Sequence, residues 1–263
     1  MVIRQATRAA VFWAVMAIPL LPRAHADEPA PPVKPAISEE ANAAVSQMEK
    51  TLLSKEFSFT AKTIRVFQDQ SGQPLHIFHS MDVVVRRPDR LSVRVNGDDG
   101  AHDLLYDGKS VSLYLPADKK YATVSAPGEI ASALDTVTNK LGTDFPLADF
   151  FTDAPGKSFL SGVVAGWQVG TADIGGTNCR HLFFTQQAGI DLELWVENNA
   201  ASTPRRLIVT YRLLPGQPNF VAEFSDWNFG AKPTDAEFAF TPPAGATKID
   251  FNRAGAFGGM ERK

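Results

Sequence analysis

From Phe57 onward, apolar side chains recur at every second position, and turn-forming clusters cut the chain into short runs of this kind. Phe57, Phe59, Ala61 and Phe67 alternate with Ser58, Thr60, Lys62 and Gln68, and Val111, Leu113 and Leu115 alternate with Ser110, Ser112 and Tyr114. A period of two places successive side chains on opposite faces of a β-strand. The breaks are Asp69–Gly72, Arg87-Pro88-Asp89, Asn96–Gly100, Asp107-Gly108 and Pro116–Lys120, residues that supply the backbone angles of tight turns. Further runs cover 167–174, 180–186, 190–197, 206–214 and 220–229, with a last short one at 237–240. The pattern predicts ten or eleven antiparallel strands in meander order. So many strands cannot stay in one flat sheet, so the sheet is expected to curl strongly.

Two segments carry a different period. Ser38 is an N-cap residue followed by Glu39 and Glu40, and Ala41, Ala44, Val45, Met48 and Leu52 form one apolar stripe to about Ser54. After Pro127-Gly128, Ile130, Leu134, Val137 and Leu141 form a second stripe, and residues 146–151 (PLADFF) read as a third, short helix. An amphipathic helix must bury its stripe against another layer. Met48, Leu52, Ile130, Leu134 and Val137 are therefore expected to lie over the concave face of the curled sheet. The fold class is mainly β (α+β), and the interior beneath the helices is apolar, either filled or open.

The ends of the chain have other compositions. Arg4 and Arg8, an apolar run from Ala9 to Leu21, and Ala24-His25-Ala26 form the pattern of a secretory signal with cleavage after Ala26. The run is too short to span a bilayer, which takes about 20 residues. No cysteine follows the cleavage site, so the expected product is a soluble exported protein, periplasmic in a Gram-negative source. Residues 27–37 hold four prolines and read as a disordered linker, residues 38–251 as one domain, and 252–263 as a disordered tail. Removing Arg4, Arg8 and Arg23 takes the 26 basic residues to 23 against 29 acidic ones, net −6, which excludes a general nucleic-acid surface. Cys179 is the one cysteine. It lies in a predicted strand and is expected to be a buried structural thiol, so the core must hold the fold without a disulfide.

Catalytic patterns fail on spacing. His76 and His79 are three apart on a strand and point to opposite faces. His102 and His181 have no cysteine or carboxylate at a recognised ligand spacing, so no metal site is expected. Asp107-Gly108-Lys109-Ser110 imitates the end of a phosphate loop, but position 103 is Asp103 and a strand follows. No Gly-x-Ser-x-Gly elbow occurs. An enzyme is not expected, nor any cofactor. The many strand aromatics fill the core or line a cavity. Trp195, which shares a face with Asp191, Glu193 and Glu197, is placed on the convex side.

The remaining feature is the basic knot Arg86-Arg87-Pro88-Asp89-Arg90, set between two β-branched runs. Its own residues leave open an anion site or a solvated hairpin corner. Its context does not. Arg87-Pro88 before a strand, Asp107–Ser110 leading into Leu113–Pro116, Pro146–Phe151, and the ending Phe238–Gly245 follow in an order that resembles the LolA/LolB-like superfamily of periplasmic lipoprotein carriers, most closely a branch of predicted exported proteins, over residues 38–251. The resemblance implies a half-open β-barrel of about eleven strands with a helical lid and a cavity for acyl chains. It implies that Arg87 hydrogen-bonds to the lid and helps hold it shut. Strand parity puts Leu91, Val93 and Val95 with Arg87, toward the cavity, and Val111 and Leu113 join them; Arg86 and Arg90 face the other way. The carriers have bulkier aromatic residues at these positions, which leaves a lipid or another apolar ligand, rather than a lipoprotein, as the expected cargo. The expected function is a monomeric periplasmic carrier or sensor of such a ligand. The alternative is a non-enzymatic envelope interaction module with a filled core and a protein partner.

Overall fold

The computed structural model describes residues 36–69, 71–141 and 145–251. The expected signal sequence, most of the linker and the tail lie outside these residues.

Helix α1 (Glu39–Leu52) comes first and buries the whole predicted stripe of Ala41, Ala44, Val45, Met48 and Leu52. Ser38 Oγ accepts a hydrogen bond from the Ala41 amide at 3.3 Å, satisfying one of the donors left free at a helix start. Six strands follow: β1 (Glu56–Gln68), β2 (Pro74–Arg86), β3 (Arg90–Gly97), β4 (His102–Tyr106), β5 (Ser110–Leu115) and β6 (Lys120–Ser125). A helical insert comes next, made of α2 (Ile130–Leu141), a 3-10 turn at Ala148–Phe151 and α3 (Pro155–Phe159). Five strands complete the main sheet: β7 (Val163–Ile174), β8 (Thr177–Gln186), β9 (Ile190–Glu197), β10 (Pro204–Tyr211) and β11 (Asn219–Asn228).

All of them join one curved, unclosed sheet in the order β12-β6-β5-β4-β3-β2-β1-β11-β10-β9-β8-β7. β12 is the two-residue strand Thr247–Lys248, parallel to β6; the other pairings between named strands are antiparallel. The expected half-open barrel with a helical lid is the architecture observed. Two details differ from the sequence reading. Residues 237–240 form no strand, because the chain makes a 3-10 turn at Asp235–Glu237 and then runs irregularly over the convex face. The meander is also split in two. After β6 the chain does not pair onward but carries the insert to the opposite edge, so that β7 starts there and β11 returns to lie beside β1.

That crossing determines where the helices go. The insert joins β6 to β7 across the curved sheet, and its apolar side chains Ile130, Ala133, Leu134, Val137, Phe150, Phe151 and Phe159 enter one core with α1 and the inner faces of the strands. Each edge is guarded by a short piece of chain. On β6, Thr247 and Ile249 donate to the carbonyls of Lys119 and Tyr121 at 2.8 Å. On β7, the Gly166 amide donates to Ala36 O at 2.8 Å and Ser38 N donates to Gly166 O at 2.9 Å. The last two residues of the predicted linker are thus paired with the sheet.

Gly166 has no room for a side chain. A Cβ there would stand 2.3 Å from the ring of buried Phe184. Gly166→Val is expected to destabilise the domain by about 1–3 kcal/mol through overpacking, seen as a lowered midpoint in urea unfolding. An unchanged midpoint would show that the β7 edge is loose.

Candidate functional site

Arg87 lies in the turn between β2 and β3, held there by its amide, which donates to Lys55 O at 2.8 Å. The side chain faces the helices, as strand parity predicts. Its guanidinium donates four hydrogen bonds, all to backbone carbonyls: Nε to Leu52 O at 3.1 Å, Nη2 to Phe150 O at 2.9 Å, and Nη1 to Phe151 O at 3.0 Å and Thr152 O at 2.6 Å. The planar fork therefore ties the end of α1 to the 3-10 turn of the insert. The carbonyls at a helix C-terminus carry partial negative charge and lack intrahelical partners, so a cation suits that end. Burial pushes the Arg87 pKa down, opposed by Asp153 and Glu129. The ring of Phe57 lies beneath the guanidinium, 6.0 Å away.

The residues gripped by Arg87 also fill the interior. Phe151 stacks on Phe59 with ring centres 6.4 Å apart, and Phe150 packs against Phe224 at 5.6 Å. Phe59 in turn stacks on Trp227 at 4.4 Å, whose indole Nε1 donates to Pro204 O at 2.9 Å. The 3-10 turn thus acts as a plug, with two rings inside the half-barrel and the carbonyls of the same residues on the latch. On the same turn, burial pushes the Asp149 carboxyl up.

The other expected site residues are brought together on the concave side. Leu91, Val111 and Leu113 are buried in the main core, Val93 packs against it, and Val95 is buried further out along β3. Met48, Leu52, Ile130, Leu134 and Val137 face them from the two helices, all buried. α2 is tied to the same corner as the latch, since the Ile130 amide donates to Pro88 O at 3.0 Å and Tyr106 Oη to Gly128 O at 2.6 Å. A shallow depression of about 160 Å³ opens beside the latch, lined by Leu53, Arg87, Pro88, Glu129, Phe151 and Asp153.

The convex face holds the residues that parity sends there. Arg86 bonds to Asp235 and lies 5.0 Å over the Phe238 ring, pinning the C-terminal strap, and Arg90 pairs with Asp89 at 2.8 Å. Trp195 stacks on His181 at 4.0 Å and forms a small outer cluster with Ile174 and Cys179. Burial raises the Cys179 thiol pKa, so it is not poised as a nucleophile. Among the described residues, no group of three or more His, Cys, Asp or Glu is placed to hold a metal ion.

Two features escaped the sequence reading. The plug was visible only as a short helix, since nothing in PLADFF says that its rings pass under the latch. The second is a histidine pair: His79 on β2 and His102 on β4 come together on the concave face, 6.5 Å between ring centres, with His79 Nε2 2.8 Å from Asp99. Strand parity, applied jointly to both strands, was the available signal.

Residues 41–252 match the model of a family described as predicted periplasmic proteins, DUF2092. The chain belongs to that family. The DUF2092 chain is also similar to solved structures at low identity. An uncharacterized conserved protein from Thermus thermophilus aligns with 81% of this chain and 99% of its own, at 12% identity and a TM-score of 0.49. The lipoprotein LppX of Mycobacterium tuberculosis aligns with 74% and 99%, at 17% identity and 0.45. A LolA superfamily protein from Nitrosomonas europaea aligns with 76% and 97%, at 12% identity and 0.37. No curated protein sequence matches the DUF2092 chain.

Two outcomes follow from this geometry. Arg87→Leu strands four lid carbonyls and is expected to cost about 2–4 kcal/mol, while Arg87→Lys, which keeps the charge but loses the fork, recovers part of it; equal loss in both would mean that the fork geometry is irrelevant. The second concerns pH. Burial holds the His102 pKa below its ordinary 6.5, so the unfolded chain binds this proton more readily than the folded one. Stability is expected to be full above pH 6.5 and to fall as the pH drops below it. His102→Gln should flatten that slope in thermal melts taken across the window.

Proposed function

We propose that this DUF2092 protein is a periplasmic carrier of an apolar ligand, a lipid or acyl chain, which enters the half-barrel when the Arg87 latch releases the lid. The observation that carries this reading is the double role of Phe150 and Phe151, whose carbonyls are held by Arg87 and whose rings occupy the interior. A lid that fills the cavity with its own side chains leaves the empty protein compact, and withdrawing it vacates apolar space already lined by Leu91, Val93, Val111 and Leu113. Val95 extends that lining outward. The periplasmic family description agrees with a role in the envelope.

Magnitudes support such an exchange. Releasing the latch costs about 2–4 kcal/mol, and exposing two phenylalanine rings about 3–6 kcal/mol. An acyl chain of about sixteen carbons returns roughly 12 kcal/mol before the cost of association. The closed form therefore wins without ligand, and a bound chain returns an energy of the same order as the costs of opening and association.

A second reading is favoured by one observation, the filled interior. Helices and strands share one continuous buried cluster, as expected of an interaction module that offers a surface to an envelope protein.

Native mass spectrometry of protein recovered from the periplasm, followed by organic extraction, separates the two. A co-purifying lipid is expected. A clean unliganded mass, unchanged after incubation with envelope lipids, would overturn the carrier in favour of the module. Arg87→Leu is expected to remain folded and to exchange a bound apolar fluorophore several-fold faster than the parent.

A further inference from the structure

Between the convex face of β4–β6 and the C-terminal strap lies a cavity of about 160 Å³ that the carrier reading leaves unused. The strap is held on both sides of it. Arg86 and Arg94 hold Asp235 and Glu237 ahead of the cavity, and the Thr247 amide bonds to Lys119 O behind it. Among the described residues, no backbone hydrogen bond joins 239–246 to the sheet. This part of the strap therefore bridges the convex face without pairing to it.

Register shows what the bridge covers. Leu105, Ser112 and Thr123 lie side by side across β4, β5 and β6 and form a floor. Two residues to one side, Tyr114 pairs with Tyr121, and the Phe240 ring of the strap lies 5.7 and 5.2 Å from theirs. Two residues to the other side stands Ser110, with Asp107 beyond it. The cavity thus has an aromatic end, a floor with two hydroxyls and a carboxylate end. Along β5 the two ends are about 13 Å apart at roughly 3.3 Å per residue. The side chains at each end leave room between them for one six-membered ring.

The polar groups are held in place and keep capacity to spare. Asp107 Oδ1 accepts hydrogen bonds from the Lys109 amide at 3.0 Å, the Ser110 amide at 2.8 Å and Ser110 Oγ at 3.3 Å, which leaves Oδ2 for another donor. Burial pushes this carboxyl up, and the hydrogen bonds more than offset it, so its pKa lies below the ordinary value. Ser112 Oγ and Thr123 Oγ1 lie 3.0 Å apart. One hydroxyl donates to the other, and the pair retains one donor and several lone pairs. Charge narrows the ligand further. Asp107 opposes an anion. A cation meets Arg86, whose guanidinium already lies 5.0 Å over the Phe238 ring, and Arg90, which lies against Gly108.

We propose that this cavity binds one neutral sugar ring, with its C–H face on the Tyr121–Phe240 wall and its hydroxyls on Asp107, Ser112 and Thr123. Sugar hydroxyls both donate and accept, as the Ser112–Thr123 pair does, and one of them donates to the free oxygen of Asp107 in a charge-assisted bond. The C–H groups of a pyranose suit the negative face of an aromatic ring. The site is independent of the carrier reading, since lid and latch lie on the opposite face of the sheet.

The test is saturation-transfer NMR on the full mature protein with D-glucose, N-acetyl-D-glucosamine and choline. A sugar is expected to bind with a Kd of about 1 mM, the range open to a ligand of about a dozen heavy atoms. Glucose as the tighter ligand assigns a plain hexose, and N-acetylglucosamine an acetylated amino sugar; either upholds the site. Thr123→Val, which keeps the shape and removes the hydroxyl, should weaken sugar binding about fivefold with an unchanged thermal melt. Phe240→Leu should weaken it further. Arg206→Gln, which breaks the pair with Glu223 on β10 and β11, should leave it intact. Binding of neither sugar, tighter binding of choline, or sugar binding that survives Thr123→Val overturns the proposal.

Discussion

An open sheet ends in two strands whose outer backbone groups have no partner, and the structure is organised around that constraint. Closing the barrel would solve it and leave no entrance. Here the edges β6 and β7 stay apart and the chain crosses between them. A connection that must travel from one rim of a curved sheet to the other runs across the hollow side, where its apolar residues find cover. The lid is therefore a consequence of strand order as much as of its own sequence, and the position of the plug follows from where that crossing passes the β2–β3 turn.

The latch pairs its half-buried cation with neutral backbone carbonyls. A carboxylate in contact with Arg87 would be left as a buried, uncompensated charge whenever the lid moved. Carbonyls satisfy the donors in the closed form, and water replaces them when the lid moves, at a net cost of about 2–4 kcal/mol. Asp153 and Glu129 stand close enough to oppose the loss of charge on burial, without touching the fork. By contrast α1 is bound on its other flank to the β8–β10 half, through Gln47 with Arg180 and Ser202 and through Thr51 with Ala201 O. α1 is thus tethered on two flanks, to the Arg87 corner and to the β8–β10 half, whereas Arg87 and Tyr106 tie the insert at the β2–β3 corner and on β4.

Most of the fold was legible because two periods do not resemble each other. The stripe Ala41, Ala44, Val45, Met48, Leu52 fits only a helix, and the alternation in β1 and β5 fits only strands. Arg87 was legible as a latch only through the resemblance, while parity placed Leu91 and Val93 on its side of the sheet. Three things were hidden for the same physical reason, that they depend on distant segments. Nothing local says that β7 starts at the far edge, that Phe150 and Phe151 lie under Arg87, or that His102 comes beside His79. The 237–240 run alternates like a strand, yet the strap packs Phe238 and Phe240 against Arg86, Tyr114 and Tyr121 with no ladder to join.

The edge guards also bear on what counts as the domain. The strip that shields β7 is Ala36–Ser38, ahead of the span that matches the family, and Ser38 is at once the cap of α1 and the last residue of that guard. The smallest unit able to keep its own edges covered is thus longer than its recognisable sequence. Its boundary is set by backbone pairing, which leaves little trace in side-chain identity.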